Sequence, residues 1–392
     1  MAEGAVPVSG VPLRFETLDS LRGLAAFTVV IAHCCMMLPK FSDYGLHYVM
    51  PPIDWSDPLA FLLIRTPLRV VWLGRGPVAL FFVLSGFVLS LPWLRGRPPS
   101  YAVFAIRRFC RIYLPYIAAV MIAALFATVL APYRPAPQSE WFDRLNWTEP
   151  FTIGAAVSHL LMLGTHNTFD NAIWSLIHEM RISLVFPLLI LPLLRWRILS
   201  AVALVVGLIA SVALILRLAG GDIVLGEIAG SLQYSALFVM GAATAQYAPP
   251  IAAWLARTSP VVKWVFLLAG LLTLSVQWPI LPAYFQGLGG VCIIIAALAP
   301  GALAVFLHQR ILRKLGHISY SLYLIHLPVL LSAVYLLHPF LPIGVILIGV
   351  PPTAVAVAWI FNRLVEDPAA ELGRRIAARL RPVSLAAVIP PM

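Results

Sequence analysis

Arg22 and His33 stand eleven residues apart in LDSLRGLAAFTVVIAHCC, residues 18–35, a stretch otherwise apolar enough to cross a membrane. At about 100° per residue, that separation returns them to within about 20° on a helical wheel and sets them about 16 Å apart along the axis. An ionised side chain at bilayer depth costs about 3 kcal/mol on insertion scales, so such groups normally face a bundle interior or a water-filled cavity. Their shared face favours a polar channel through the bundle. The bland alternatives are a snorkelling basic anchor for Arg22 and an interfacial histidine for His33.

Three further stretches carry groups that could do chemistry. NAIWSLIHEMRISLVFPLL places Trp174, Ser175, His178, Glu179 and Arg181 in the first turns of an apolar helix, with Ser175 and Glu179 at i and i+4 on one face. A carboxylate facing an imidazole would orient it and raise its basicity, so Glu179 is a candidate partner for His33. A structural pairing of Glu179 with Arg181 or His178 is the competing reading. RGRPPSYAVFAIRRFCRIYLPY holds Arg108 and Arg111 at i and i+3, two guanidiniums suited to a phosphate, although lipid head groups would satisfy the same run. GHISYSLYLIHLPV sets Tyr320, Tyr323 and His326 on another apolar helix, where Tyr is usually an interfacial belt residue and His326 lies half a membrane deep.

The elements that position these groups must be membrane helices. The 392-residue chain is 61% hydrophobic, only 11% charged and has a mean hydropathy of +0.92, far from the roughly 25% charged residues of a soluble domain. Apolar segments of about 20 residues recur along its whole length, which argues for an all-α helical bundle and not a barrel of alternating strands. The net charge is +11, and the basic residues cluster at Arg95–Arg111, Arg195–Arg197, Arg310–Lys314 and Arg374–Arg381. Lysine and arginine gather in cytoplasmic loops. Ten crossings, at 20–38, 76–94, 112–131, 172–194, 198–217, 227–246, 262–279, 287–307, 318–337 and 341–361, put every cluster inside and both termini in the cytoplasm.

That threading sets Arg22 near the inner boundary, His33 in the outer half of the membrane and Glu179 at a depth comparable to His33. The apolar stretch 153–164 is too short to span and reads as a re-entrant or interfacial piece of the 132–171 outer loop. The 39–75 loop, rich in Pro, Trp and Asp, is the other outer segment able to cover a site. Cys34, Cys35, Cys110 and Cys292 have no metal-ligand spacing and read as packing residues, so no metal is expected. Residues 1–17 lack a basic n-region followed by an apolar run, so the first helix is expected to serve as its own insertion signal. No repeat or nucleic-acid motif is evident, and the chain reads as one membrane domain, 1–392 with its core at 14–375.

In that order the motifs are similar to a known pattern. LDSLRGLAAFTVVIAH, GPVALFFVLSGFVLS (76–90), RRFCRIYLPY (107–116), IWSLIHEM (173–180), ISYSLYLIH (318–326) and VEDPAAELGRR (365–375) together resemble the membrane acyltransferase-3 family. Its members are multi-spanning bacterial enzymes that O-acylate cell-surface glycans and some secreted small molecules. Arg22 and His33 match the family's pattern of Arg, ten residues, His.

The resemblance implies a bacterial inner-membrane enzyme whose donor is acyl-CoA, with acetyl-CoA expected, approached from the cytoplasm. It implies donor phosphates near Arg22, Arg108 and Arg111, a catalytic His33 that either deprotonates the acceptor hydroxyl for direct attack or first takes the acyl group itself, Glu179 as its orienting partner, and a pocket shaped by Trp174, Ser175, Tyr323 and His326. The pantetheine arm would carry the thioester across the distance from Arg22 to His33. The acceptor, a hydroxylated glycan or small molecule, would arrive from outside. Many relatives carry an additional C-terminal hydrolase-like domain; here acceptor handling is expected to rest on the membrane core and outer loops. Self-association into a homo-oligomer stays open. The competing class is a transporter or exporter, which predicts two related halves with broken helices near the midplane; no such halves are apparent.

Overall fold

The structure is a computed structural model that describes residues 16–47, 55–72, 74–133, 135–136, 138–147, 152–165, 169–276 and 278–380. Among these residues it is all helix. Seven helical segments are long and apolar enough to cross a membrane. We label the apolar helices in chain order: α1 Glu16–Met36, α2 Arg75–Leu94, α3 Tyr101–Tyr133, α4 Asn171–Ala219, α5 Ile223–Gln246, α6 Pro260–Ser275, α7 Pro282–Leu298, α8 Ser319–Leu337 and α9 Ile343–Arg379. α6 and α7, at 16 and 17 residues, rise only about 24–26 Å and are shorter than the usual crossing.

Two expected boundaries differ. The expected spans 172–194 and 198–217 form one segment, α4, whose 49 residues would reach about 74 Å if straight. It breaks at Arg197, which has non-helical backbone angles (φ 50°, ψ −125°). Ser200 Oγ ties the break together by donating to the Pro192 and Arg197 carbonyls. The expected span 287–307 likewise divides, because α7 ends at Leu298 and a separate helix, Ala302–Leu307, follows.

α8, α2 and α1 are the most enclosed of the long helices, with 72%, 67% and 56% of their apolar windows buried. α1 carries Arg22 and His33, and α8 carries Tyr323 and His326, so those groups lie inside the bundle. Small residues let the backbones meet. A Cβ on Gly86 of α2 would run into the Phe238 carbonyl of α5, and one on Gly241 of α5 would strike the Val83 carbonyl of α2. Such small-residue contacts are how membrane helices approach closely. Near the start of α1 the same kind of contact is made with the amphipathic Arg310–His317 helix, where Gly23 meets Leu315 and Gly316, and Gly316 meets Asp19.

The basic clusters converge. Gly316 packs against Asp19 near the start of α1, and Gly373 packs against Cys110 and Arg107. The Arg95–Arg111, Arg310–Lys314 and Arg374 regions therefore share the end of the bundle that holds Arg22. The opposite end is capped by the segments expected to be outer loops. Helix Glu140–Leu145 docks onto the end of α1, with Ser139 Oγ donating to Met36 O and Trp141 N donating to Ser42 Oγ. The short stretch expected at 153–164 contains helix Ile153–Leu160. It is held by Tyr113 and Tyr116 hydroxyls donating to Leu160 O and His159 O, and by Arg181 donating to Met162 O and Leu163 O.

Candidate active site

α1 runs from Arg22 to His33, and α8 runs beside it from Tyr320 to His326. Toward the C-terminal end of α1 the two histidines meet: His33 Nδ1 and His326 Nε2 lie 2.8 Å apart, with the rings stacked at 5.0 Å between centroids and an interplanar angle of 10°. Trp141 stacks on His33 at 5.1 Å, so helix Glu140–Leu145 contributes a wall. The His33 imidazole is therefore held by His326 and Trp141 together.

The hydrogen-bond network assigns the protons. His326 Nδ1 lies 2.7 Å from Tyr323 O and 3.1 Å from Leu322 O. Both partners are carbonyls, which only accept, so Nδ1 carries the hydrogen. In the neutral ring Nε2 is then an acceptor, and His33 must donate to it from Nδ1. His33 Nε2 is left with its lone pair. His33 lines a cavity of about 580 Å³ that also includes Trp72, Arg75, Trp141, Trp174 and Tyr323.

Glu179 is elsewhere. Its Oε1 accepts from Ser85 Oγ at 3.0 Å, and its charge acts on Arg22, Arg108 and Tyr320. The expected Glu179–His33 pairing gives way to His33–His326, and the reason is depth. Asp170, Ala172 and Ile173 are buried at the entry to α4, so this helix begins already within the bundle. Trp174 lines the cavity at the level of His33, and five residues on, about 7.5 Å further along the axis, Glu179 has passed to the arginines. The competing expectation, a local pairing with Arg181 or His178, does not form either. Arg181 pairs with Glu227 at 3.0 Å, and His178 Nδ1 lies 3.0 Å from Ser231 Oγ.

Between the two levels, Ser175 Oγ and Tyr323 OH lie 2.7 Å apart. Phe81 packs edge-on against Tyr323 at 5.7 Å. Trp174 packs against Tyr234 at 5.5 Å. A polar seam thus descends through the bundle from His33 and His326, past Tyr323 and Ser175, to Glu179 and Tyr320.

At its foot, Arg22, Arg108 and Arg111 act electrostatically on one another. Local backbone irregularity builds this end. Residues Phe109–Tyr113 form a π-turn inside α3, which frees carbonyls from the regular ladder, and Tyr320 OH donates to Ile112 O at 2.8 Å. π-turns recur at functional sites for this reason. A second π-turn, Asn362–Glu366 in α9, aims Glu366 inward. Glu366 Oε2 accepts from Ser321 N, Ser321 Oγ and Asn362 Nδ2, and its charge reaches Arg22. Three carboxylates, Glu179, Asp19 and Glu366, thus act on Arg22 beside the other guanidiniums.

Sequence reasoning does not single out Ser85, Trp141 or Glu366. Glu366 has a usable signal, an acidic residue within the basic C-terminal segment; Ser85 and Trp141 have none beyond their motif and loop. Among the described residues no three His, Cys, Asp or Glu side chains gather as a metal-binding group.

A family model described as acyltransferase domain matches residues 15–363. Peptidoglycan O-acetyltransferase OatA of Listeria monocytogenes is 28% identical over 191 residues, covering 45% of this chain and 30% of that protein. This chain therefore aligns with less than a third of that relative's length. No solved structure matches significantly.

Proposed function

Since the chain belongs to the acyltransferase family, whose model covers nearly all of it, and is an acyl-transferring enzyme of the membrane, we propose that it moves an acyl group from acyl-CoA to a hydroxyl of an externally presented acceptor. Acetyl is the acyl group we expect, and a carbohydrate the acceptor class; the Listeria relative is by name an O-acetyltransferase of peptidoglycan. The observation that carries the reading is the directed histidine pair. His326 Nδ1 is committed to a backbone carbonyl, so His33 Nε2 is the available base at the cavity wall.

Arg22, Arg108 and Arg111 would take the phosphates of the donor, with Glu179 and Glu366 setting the guanidinium positions. The pantetheine arm would follow the seam past Tyr323 and Ser175, with Trp174 shaping the cavity. His33 Nε2 takes the acceptor's hydroxyl proton as its oxygen attacks the thioester carbonyl. The carbon–sulfur bond breaks, coenzyme A leaves as the thiolate, and that thiolate takes the proton from the His33 imidazolium, which returns the base to its neutral form. The transient imidazolium is stabilised because its Nδ1–H already points at His326 Nε2.

The topology that serves this chemistry has ten crossings with both termini cytoplasmic, in a bacterial inner membrane. A transporter reading gains nothing from the family match. The test is transfer from labelled acetyl-CoA by purified protein in nanodiscs, with envelope glycans from cells lacking the gene as acceptor. Wild type should label the glycan and His33→Ala should not, at equal folding by circular dichroism. Full activity in His33→Ala would sink the mechanism.

A further inference from the structure

A groove of about 1030 Å³ lies away from His33, at the end of the bundle where the basic clusters converge. The amphipathic helix Arg310–His317 forms one wall, the start of α1 at Glu16 and Asp19 a second, and Val355, Ala356, Trp359 and Ile360 of α9 a third. Its charges do not cancel. Glu16 lies 3.1 Å from Arg313 and 3.5 Å from His308, His317 lies 3.7 Å from Asp367, and Asp19 acts on Arg22. Arg310 and Lys314 stand four residues apart on one face of their helix, and both line the groove with no acidic partner among the described residues. The Arg363 guanidinium lies over the Trp359 ring at 4.6 Å and brings a third positive charge close by.

The apolar side of the groove is uncovered: Ile311, Trp359 and Ile360 are 76%, 51% and 50% exposed. Trp359 falls in the last turn of the apolar part of α9, Ile343–Phe361, the level at which tryptophan marks a membrane interface. A water-soluble phosphate would satisfy the two cations and leave the apolar wall bare. A zwitterionic lipid would cover the wall but bring a cation of its own to Arg310 and Lys314. An anionic lipid covers the wall and neutralises the cations together.

We propose that this groove seats an anionic phospholipid, with the headgroup phosphate between Arg310 and Lys314 and an acyl chain along Val355, Ala356 and Ile360 beside Trp359. Basic pockets between membrane helices hold anionic head groups in this way. The seat is independent of the acyl-transfer chemistry. It borders α1 at Asp19, where Gly316 of the amphipathic helix makes its close contact, so the lipid braces that helix against the end of α1 that carries Arg22.

The test is quenching of Trp359 fluorescence by lipids with brominated acyl chains. Full-length protein is reconstituted in phosphatidylcholine vesicles carrying a small fraction of brominated phosphatidylglycerol or brominated phosphatidylcholine. The Trp359 share of the signal is the difference between wild type and Trp359→Phe. It should be half-quenched at an about 10- to 30-fold lower fraction of the anionic lipid, as two basic contacts with an anionic headgroup imply. Arg310→Gln/Lys314→Gln should lose that preference. Arg195→Gln/Arg257→Gln, which removes the same charge from exposed positions elsewhere, should keep it. Arg310→Lys/Lys314→Arg preserves the charge and should retain most of the preference, which checks that the helix is intact. Neither glycerol 3-phosphate nor acetyl-CoA should relieve the quenching. Equal quenching by the two lipids in wild type would overturn the proposal, and so would a preference that survives in Arg310→Gln/Lys314→Gln. Relief by glycerol 3-phosphate would make the groove a site for a free phosphate, relief by acetyl-CoA would make it part of the donor site, and either would remove the lipid.

Discussion

His33 owes its proton geometry to a residue 293 positions away. Because the bond to Tyr323 O orients His326, changing His326 should alter turnover more than donor binding. His326→Ala should lower kcat by about tenfold or more with the KM for acyl-CoA little changed. His326→Gln, whose amide oxygen can accept from His33 Nδ1, should recover part of the loss; equal kcat in the two variants would remove the orienting role. Asp170 supports a second expectation. One carboxylate oxygen caps Ala172 N, the other is buried without a hydrogen-bond partner, and burial raises its pKa from the ordinary 3.8 to about 8. Below 3.8 both folded and unfolded chains hold the proton. Between 3.8 and about 8 unfolding releases it, so this group subtracts stability progressively as pH rises, and above about 8 the subtraction is complete. Asp170→Asn should therefore unfold at a higher temperature than wild type at about pH 8, with the difference shrinking toward about pH 4. A gap that widens on acidification would contradict this.

At the scale of elements, helix approach and local irregularity set the site. α2 and α5 cross where Gly86 and Gly241 have no side chain, against carbonyls that cannot retreat without moving a helix. Gly241→Ala and Gly86→Val should each cost about 1–3 kcal/mol, the range for overpacking, measured as a lowered thermal midpoint in detergent. The same crossing carries Ser85, one residue before Gly86, so these variants should also disturb the Ser85–Glu179 bond. The two π-turns work differently. Each adds a residue to a turn, rotates the remainder of its helix and releases carbonyls, and Ile112 O and Glu366 both bond to α8 from these turns.

Over the whole molecule, the candidate groups sort by side. Three arginines sit with Asp19, Glu179 and Glu366 at the end where the basic clusters converge, and two histidines sit under helix Glu140–Leu145 at the other. The two ends make separable contributions. Arg108→Gln and Arg111→Gln should raise the KM for acyl-CoA by about tenfold each, as expected for a lost charge-assisted phosphate contact, with less effect on acceptor KM. The reverse pattern would place the donor elsewhere. Cysteines introduced at exposed Trp55 and Ile311 should react with an impermeant thiol reagent from opposite faces of oriented vesicles, and labelling from one face would overturn the proposed topology.

Composition, hydropathy and charge clustering were enough to determine a polytopic helical membrane protein, since a bilayer accepts long apolar helices and sorts lysine and arginine to one side. The motif order was enough for the acyltransferase family, and helical periodicity was enough to set Arg22 and His33 on one face of α1 a membrane half-thickness apart. Periodicity speaks only within one helix. Which side chain from another helix faces His33 depends on where each helix enters the bundle, and the buried start of α4 carried Glu179 down to the arginines while the register of α8 brought His326 to the imidazole. Seven helical segments among the described residues are long and apolar enough to cross, where ten were expected. Hydropathy counts apolar residues, whereas the break at Arg197 and the early end of α7 are decided by backbone geometry and packing that no running average contains.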